Sequence, residues 1–311
     1  MERDALVREV SQRMDLAQIR TVGIIGFGEV GQCFAAALAG PAAAPFPLAL
    51  RAGDIEPPGS RRTRLEREAA ALGAPLKGGP GPWLGDADLV VSAVTGDRAL
   101  EAARAAADFL GPEAIYLDVN TAPKATMSEV ARAVGERAAV VDGAILGLIA
   151  ASGARAPLLL SGPESEAMAA FLNPRGFRAK AIGGAVGDAS GVKLLRSVVM
   201  KGLEALLIEC FVAAEKQGLR NQVVDALADL GTTPAETTIA TLLTTHLRHA
   251  RRRSVEVGEV RHMLAEAGCP ARMTMATAAT FERSLAAGII GDDPPTSLDE
   301  ALARLAPAHS G

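Results

Sequence analysis

Residues 21–32 read TVGIIGFGEVGQ, and this stretch decides the fold that we expect. A short apolar run typical of a buried strand leads into three glycines spaced G-x-G-x-x-G, and an alanine-rich segment typical of a helix follows. In such a unit the first glycine permits a tight turn, the second lets the backbone approach a pyrophosphate, and the third lets the helix lie close to the strand. The pattern predicts a dinucleotide-binding turn, with an ordinary glycine-rich turn as the alternative. The predicted turn consists of Gly26, Phe27, Gly28, Glu29, Val30 and Gly31.

The first half of the chain alternates between short apolar runs and alanine-rich segments. Strands buried on both faces of a parallel sheet read as continuous apolar runs, with helices crossing between them. The alternation therefore predicts an α/β fold, a doubly wound Rossmann-type domain that we place at residues 1–185. The apolar runs lie at residues 22–25, 48–50, 89–94, 115–119, 139–142, 158–160 and 177–182.

The character of the chain changes near Gly187. Residues 188–217 contain no proline and are apolar almost all round, which predicts one long buried helix. Further helices are predicted to the end, and the residues from about 292 are expected to be loose. We assign an all-helical domain to residues 186–311, and we expect it to bind substrate and to form a homodimer that buries its apolar surface. The further helices are predicted at residues 219–230, 234–248, 252–267 and 270–287.

Composition narrows the classes of function. The 311 residues carry a net charge of −4, without the basic excess typical of nucleic-acid binding. No apolar run approaches the roughly 18 residues of a membrane span, and the first 15 residues lack the apolar core of a signal peptide. Three widely spaced cysteines indicate a reducing compartment, and no pattern of ligands completes a metal site. We expect a soluble cytoplasmic protein with a small-molecule substrate and no nucleic-acid, membrane or metal partner.

The choice between NAD and NADP depends on the residues after the second predicted strand. Asp54 ends the stretch LALRAGD (48–54) and lies 23 residues after Gly31, near the spacing of about 20 expected for a carboxylate that binds the adenosine ribose. A carboxylate there repels a 2′-phosphate, so NAD is favoured, although Asp54 could also be a simple turn residue. NADP stays possible because of nearby guanidinium groups, those of Arg51, Arg61, Arg62 and Arg64.

Two further segments bear on the reaction. Val94 and Thr95 lie at the end of a predicted strand, in SAVTGD (92–97), where they either pack on the cofactor or cap the strand. Oxidation of an alcohol by hydride transfer also needs a proton acceptor. Lys193 lies near the start of the long apolar segment, and burial of a lysine lowers its pKa toward neutrality. Lys201 on the same segment is the competing candidate, and a surface position is the alternative for Lys193.

Four motifs occur in the order found in one family of enzymes. They are GFGEVG (26–31), DVNTAPKAT (118–126), VDGAILG (141–147) and GDASGVK (187–193). On these motifs the chain resembles the β-hydroxyacid dehydrogenase family, which includes 6-phosphogluconate and 3-hydroxyisobutyrate dehydrogenases. It looks most similar to a branch with a 6-phosphogluconate-dehydrogenase-like N-terminal domain and a divergent helical C-terminal domain.

The resemblance implies roles for particular residues. The second motif places Asn120 at the nicotinamide and Thr121 at the substrate, and the third places Gly147 at the substrate. The fourth puts Lys193 at the family's acid/base position. Members of the family commonly pair through the helical domain, which again implies a homodimer.

The chain departs from the family pattern where the substrate is recognised. Arg196 and Ser197 stand where better-known members have an asparagine one turn after the lysine, and Leu146 stands where many have a serine. Arg196 is either a bidentate partner for a substrate carboxylate or a structural ion-pair residue. Ser197 is a further candidate for substrate binding. We therefore transfer neither named substrate to this chain.

These inferences predict an NAD(P)-dependent dehydrogenase acting on CH–OH groups. It would oxidise a small hydroxy acid or a related alcohol reversibly, with Lys193 as general acid and base. One alternative is an imine reductase-like enzyme, a group that looks similar in layout but generally has aspartate or tyrosine in place of the lysine. The other is a non-catalytic NAD(P)-binding sensor or scaffold.

Overall fold

The computed structural model describes residues 16–40, 47–135, 137–291, 293 and 295–310. The N-terminal segment used to judge a signal peptide lies outside these residues. The chain forms two compact units that divide between Ser197 and Val198. That division falls inside a long helix, 12 residues beyond the boundary expected at 185/186, and the assignment of functions to the two domains stays a prediction.

The first unit is built on a mostly parallel sheet, which confirms the doubly wound α/β fold. The strand order is β3-β2-β1-β4-β5-β6-β7-β8, and every neighbouring pair is parallel except β6 and β7. The described residues form the strands β1 Thr21–Ile25, β2 Ala49–Gly53, β3 Leu76–Lys77, β4 Leu89–Ser92, β5 Ile115–Asp118, β6 Ala139–Ile145, β7 Pro157–Ser161 and β8 Arg178–Gly183.

Helices cover both faces of this sheet. Every residue of the central strands β4, β5 and β6 is buried, as expected for strands that lie between two helical layers. Phe34 and Met168 belong to the apolar core on one face, and Tyr116 and Met127 belong to the core on the other. The helices of the first unit are α1 Glu29–Ala39, α2 Ser60–Ala71, α3 Ala99–Ala107, α4 Lys124–Val134, α5 Ile149–Ser152 and α6 Ser165–Leu172.

Helices make up the described part of the second unit. The long helix α7 spans Asp188–Lys216, so its first ten residues belong to the first unit and the rest to the second. Within the described part of the chain, no helix is both long enough and apolar enough to cross a membrane. The remaining helices are α8 Arg220–Ala226, α9 Ala235–Glu266, α10 Arg272–Ala286 and α11 Leu298–His309.

Three expectations about the helical unit were wrong. The helices predicted at 234–248 and 252–267 are one continuous helix, because arginines such as those at 251–253 are good helix formers. The described residues near the end are not loose, since they form α11 and Ser297 caps this helix by accepting a hydrogen bond from the Glu300 N–H (3.2 Å). The long helix is not buried in the single chain: the side chains of Val198 and Val199 are 71% and 67% exposed.

Candidate active site

The glycine-rich turn between β1 and α1 has the geometry of a phosphate-binding loop. Gly26 has φ +86°, and a Cβ there would lie 2.4 Å from the carbonyl oxygen of Ala93. A Cβ on Gly31 would lie 2.0 Å from the Gly26 carbonyl oxygen, so helix and strand approach too closely for any side chain. A Cβ on Gly28 would meet no atom within 4 Å. Two glycines are therefore required by the protein's own packing, and the middle one faces open space.

That space lies at the N-terminus of α1. Gly28 is the N-cap residue and offers no side chain to the first turn, so the N–H groups there are left for another acceptor. A helix N-terminus with free N–H groups favours an anionic group. The Phe27 side chain is buried in the core, so only the backbone of this residue faces the turn. Val30 is partly buried and packs against the same core. The residues present thus fit the pyrophosphate of a dinucleotide.

Asp54 connects the end of β2 to this turn. Its Oδ2 accepts a hydrogen bond from the Phe27 N–H (2.7 Å), and its Oδ1 accepts one from the Glu56 N–H (2.8 Å). A cleft of about 660 Å³ opens beside it, and the carboxylates of Glu56 and Glu66 also line this cleft. Arg62 lines the same cleft, so Asp54 is placed at the strand end where an adenosine ribose would be bound, beside two other carboxylates and one guanidinium group.

The arginines that could favour NADP are all engaged. The Arg62 guanidinium donates to the carbonyl oxygens of Asp54 (2.7 Å) and Lys77 (3.0 Å) and pairs with Glu66 (2.8 Å). These contacts tie the ends of β2 and β3 together. Each of the other arginines has a carboxylate partner as well: Arg51 with Asp86, Arg61 with Glu56 and Arg64 with Glu68.

Asn120 holds two strand ends together. Its Oδ1 accepts from the Val94 N–H (2.6 Å), and its Nδ2 donates to Ser92 Oγ (2.8 Å) and to Asp118 Oδ2 (2.9 Å). Both halves of the amide are thus used within the protein. The structure places Val94, Thr95 and Asn120 together at the carboxyl ends of β4 and β5, where ligands of doubly wound sheets bind.

Lys193 and Thr121 form the pair at the centre of the site. The Lys193 Nζ donates a hydrogen bond to Thr121 Oγ1 (2.8 Å). Thr121 has φ +60°, the one positive φ at a residue other than glycine in the described part of the chain, and such strain is typical of functional positions. Lys193 is half-buried; burial lowers the pKa of its ammonium group, and the charge of Asp142 acts in the opposite direction.

The predicted substrate residues differ in their surroundings. Gly147 is exposed, with φ +126° and open space where a side chain would lie. Arg196 is exposed and has no ion-pair or hydrogen-bond partner among the described residues. The Ser197 hydroxyl donates back to the Lys193 carbonyl oxygen (3.0 Å). Lys201, the competing base, is exposed and pairs with Glu204 (3.3 Å), so it lacks the surroundings of Lys193.

The sequence interpretation missed a row of buried polar residues beneath this pair. Ser92, Asp118, Asp142 and Ser161 are paired in register across β4, β5, β6 and β7, and all four are fully buried. The pKa of Asp118 is raised to about 7: burial and the charge of Asp142 raise it, and hydrogen bonds from Asn120 partly oppose this rise. The available signal was a polar residue near the end of each of four apolar runs.

Comparison with known proteins agrees with this architecture. Residues 214–284 match a family model described as a domain of unknown function (DUF1932). An uncharacterised 28.5 kDa protein of Methanothermus fervidus is 28% identical over 200 residues, which cover 64% of this chain and 77% of that protein. A conserved protein of unknown function, whose structure is described as similar to 3-hydroxyacid dehydrogenases, is 29% identical with a TM-score of 0.56. The match covers 93% of this chain and all of that one.

A more distant relative gives a closer superposition. An imine reductase variant from Myxococcus stipitatus, solved in complex with NAD+, has a TM-score of 0.72 at 16% identity, covering 93% of this chain and 99% of its own. A second structure of an imine reductase from that organism contains NADP+. The predicted resemblance is thus confirmed at the level of fold: the chain has the architecture shared by 3-hydroxyacid dehydrogenase-like proteins and imine reductases.

Proposed function

We propose that the protein is an NAD(P)-dependent oxidoreductase that reversibly oxidises the CH–OH group of a small hydroxy acid or related alcohol. The observation that carries this proposal is the half-buried Lys193, whose Nζ is held by Thr121 Oγ1 at 2.8 Å. This pair lies at the carboxyl edge of the same sheet that carries the glycine-rich turn. A lysine in such a position is a general base whose pKa is shifted toward the working pH.

The residues of the chain account for the proton. A bound oxidised nicotinamide would supply the acceptor for the hydride of the carbinol carbon. Neutral Lys193 accepts the hydroxyl proton through its lone pair while one of its N–H groups stays on Thr121 Oγ1, and the C–O single bond becomes a carbonyl. In the reverse direction the Lys193 ammonium returns the proton to the oxygen. The Thr121 hydroxyl keeps its own hydrogen for donation to the substrate oxygen.

A hydroxy acid is the substrate class that best fits the unpaired guanidinium. Arg196 lies three residues after Lys193 and therefore on the same face of α7. A carboxylate on the substrate would give this exposed group its missing bidentate partner. We assign Thr121, the Gly147 backbone and Ser197 to orienting the alcohol and its neighbouring atoms.

NAD is the cofactor that the adenosine side favours. The backbone from Gly26 to Gly31 would hold the pyrophosphate, Asp54 would accept from the ribose hydroxyls, and Val94, Thr95 and Asn120 would flank the nicotinamide. The carboxylates of Asp54, Glu56 and Glu66 line the cleft, and the nearby arginines are already paired. A 2′-phosphate would therefore meet repulsion without an unpaired cation to bind it.

We also propose that two copies pair through the helical unit, and that the protein works in the cytoplasm. Apolar side chains are exposed along the part of α7 that belongs to the second unit, and a second copy would supply a matching apolar surface. The cysteines Cys33, Cys210 and Cys269 are free thiols, which fits a reducing compartment.

Imine reduction is the second candidate, favoured by the closer superposition on an imine reductase. In that reaction the Lys193 ammonium would donate a proton to the nitrogen that becomes the amine. The presence of a lysine at this position is the feature that makes alcohol oxidation our first choice.

The deciding experiment is a screen of small hydroxy acids and alcohols with NAD+ and NADP+, followed by the absorbance of the reduced cofactor. We expect turnover with NAD+ that falls by about two to four orders of magnitude in Lys193→Met, the usual contribution of a general base. Lys201→Met is the matched control and should keep its rate. Equal loss in both lysine variants would contradict the proposal, turnover of imines alone would establish the second candidate, and NADH binding without turnover would indicate a sensor.

A further inference from the structure

Two fully buried carboxylates lie side by side below the candidate active site. Asp118 on β5 and Asp142 on β6 are directly paired in the sheet. Burying a charge without compensation costs several kcal/mol, and two neighbouring charges also repel each other. A protein retains such a pair only where hydrogen bonds satisfy it, so the partners of each carboxylate show what it holds in place.

Asp142 holds the beginning of α7. Its Oδ2 accepts from the N–H groups of Gly187 (3.1 Å) and Ser190 (2.9 Å) and from Ser161 Oγ (3.1 Å). Its Oδ1 accepts from Ser190 Oγ (2.6 Å). The carboxylate therefore lies at the positive end of a 29-residue helix and satisfies N–H groups that have no partner inside the helix.

This anchor reaches Lys193 in two ways. Ser190 precedes Lys193 by three residues, so the anchored turn is the one that carries the lysine. The negative charge of Asp142 also opposes the effect of burial on the Lys193 ammonium. Among the described residues, Asp142 is the charged group that raises the pKa of the Lys193 ammonium, while Lys124 and Asp188, at the start of α7, pair with each other (2.5 Å).

Asp118 holds the turn that carries Thr121, the hydrogen-bond partner of Lys193. Its Oδ1 accepts from the Asn120 N–H (2.9 Å) and its Oδ2 from Asn120 Nδ2 (2.9 Å). Asn120 is thereby fixed against β5, and the next residue is Thr121 with its positive φ. The hydroxyl that accepts from Lys193 thus stands on a backbone turn that Asp118 fixes.

We propose that Asp118 and Asp142 are positioning residues: Asp118 fixes the turn that carries Thr121, and Asp142 fixes the first turn of α7 and thereby keeps Lys193 near its own negative charge. Neither carboxylate contacts the other member of the pair through a hydrogen bond, and neither is exposed to a substrate. The inference rests on the proposed function, because that function makes Lys193 the group that transfers a proton. The anchoring itself can be measured without turnover.

Asp142→Asn separates charge from packing. The amide oxygen can take the place of Oδ2 and accept from the N–H groups of Gly187 and Ser190. The NH₂ group can take the place of Oδ1 and donate to Ser190 Oγ, because a hydroxyl oxygen can accept a hydrogen bond as well as donate one. Ser190→Ala is the matched control because it keeps the charge and removes one hydrogen bond.

The experiment measures the protonation of Lys193 directly on the full chain. Lysines are labelled with a trace of acetic anhydride across a pH series, and the fraction acetylated at each lysine is quantified by mass spectrometry. We expect the midpoint for Lys193 to fall by about one pH unit in Asp142→Asn, the size expected when a neighbouring opposite charge is lost. It should stay near the wild-type value in Ser190→Ala, and exposed Lys201 reports the baseline in all three proteins. An unchanged Lys193 midpoint in folded Asp142→Asn would overturn the proposal.

Amide hydrogen exchange tests the anchoring even if Asp142→Asn does not fold. Alanine favours a helix more than serine does, so helix propensity alone would slow exchange in Ser190→Ala. We expect faster exchange across residues 187–193 instead, and no increase would contradict the anchoring. A shifted midpoint without any alcohol turnover would reject the proposed function and keep the positioning role. If turnover depends on Lys193 but Asp142→Asn leaves the Lys193 midpoint unchanged, the proposed function is kept and the positioning role of Asp142 is rejected.

Discussion

Thr121 shows how much of the site depends on one residue. A β-branched residue at φ +60° is strained by about 1–3 kcal/mol, and the surrounding structure has to supply that energy. Gly96 packs closely against this turn, because a Cβ on Gly96 would lie 2.4 Å from the Thr121 carbonyl oxygen. The result is a hydroxyl aimed at Lys193, which a relaxed loop would not hold in place.

Replacing this hydroxyl should reduce activity without unfolding the protein. Thr121→Val keeps the β-branched shape and its backbone strain but cannot accept from Lys193. We expect kcat/KM to fall by about 10- to 100-fold, the equivalent of one charge-assisted hydrogen bond. Thr121→Ser retains the hydroxyl and should remain within a few-fold of wild type. Equal activity of the valine and serine variants would show that the contact has no part in the reaction.

Asp118 should make stability depend on pH in an unusual direction. Its pKa is raised to about 7 in the folded protein, so between about pH 4 and pH 7 the folded state binds a proton that the unfolded state has released. Its contribution to the free energy of unfolding therefore falls as pH rises through this window. We expect the wild type to lose stability relative to Asp118→Asn between about pH 4 and 7 in urea unfolding. A constant difference between the two proteins would contradict the raised pKa.

At the scale of elements, the strand–turn–helix unit at residues 21–39 was the most predictable part. Its glycines obey local rules, and the structure reproduces the expected reasons for Gly26 and Gly31. The two-residue strand β3 was missed because it has no apolar run of its own. The Asp118–Asp142 pair could not be predicted, since it depends on register between strands that are distant in sequence. Asn120 was expected at the cofactor, and nothing in its sequence indicated that both halves of its amide would be used internally.

Replacing an outer glycine of the turn should affect thermal stability, whereas replacing the central one should affect cofactor binding. Gly31→Ala puts a Cβ 2.0 Å from a backbone oxygen, so we expect a clear loss of thermal stability. Gly28→Ala meets nothing within 4 Å in the protein alone and should keep a wild-type Tm. Its methyl group would occupy the space of the pyrophosphate, and we expect the Kd for NADH, measured by fluorescence titration, to rise at least about tenfold. Normal NADH binding by Gly28→Ala would contradict the proposal that the pyrophosphate binds at this turn.

At the scale of the whole molecule, the apolar surface of the helical unit is the feature that a single chain does not satisfy. The exposed side chains of Val199, Leu203 and Leu206 lie on one face of α7, with exposures of 67%, 38% and 42%. Contiguous apolar surface of this kind is rare on monomers and typical of interfaces.

The double variant Val199→Glu/Leu206→Glu should separate the copies. Charges placed in a closed two-fold interface face each other and lose their hydration, so we expect the mass measured by sedimentation to fall from dimer to monomer. Arg132→Glu, which changes an exposed residue on α4 of the first unit, is the control and should leave the mass unchanged. A wild type that already sediments as a monomer would contradict the proposed pairing.

The continuity of α7 across both compact units limits how this protein can be recombined with others. A chimera that takes its helical unit from another protein has no loop in which to place the junction, because Ser197 and Val198 are consecutive residues of one helix. Splicing must preserve helical phase: one residue inserted after Lys193 would shift each later residue of α7 by about 100° around the helix axis. Exchange between such proteins is therefore expected to conserve the length of this helix segment even where its sequence changes freely.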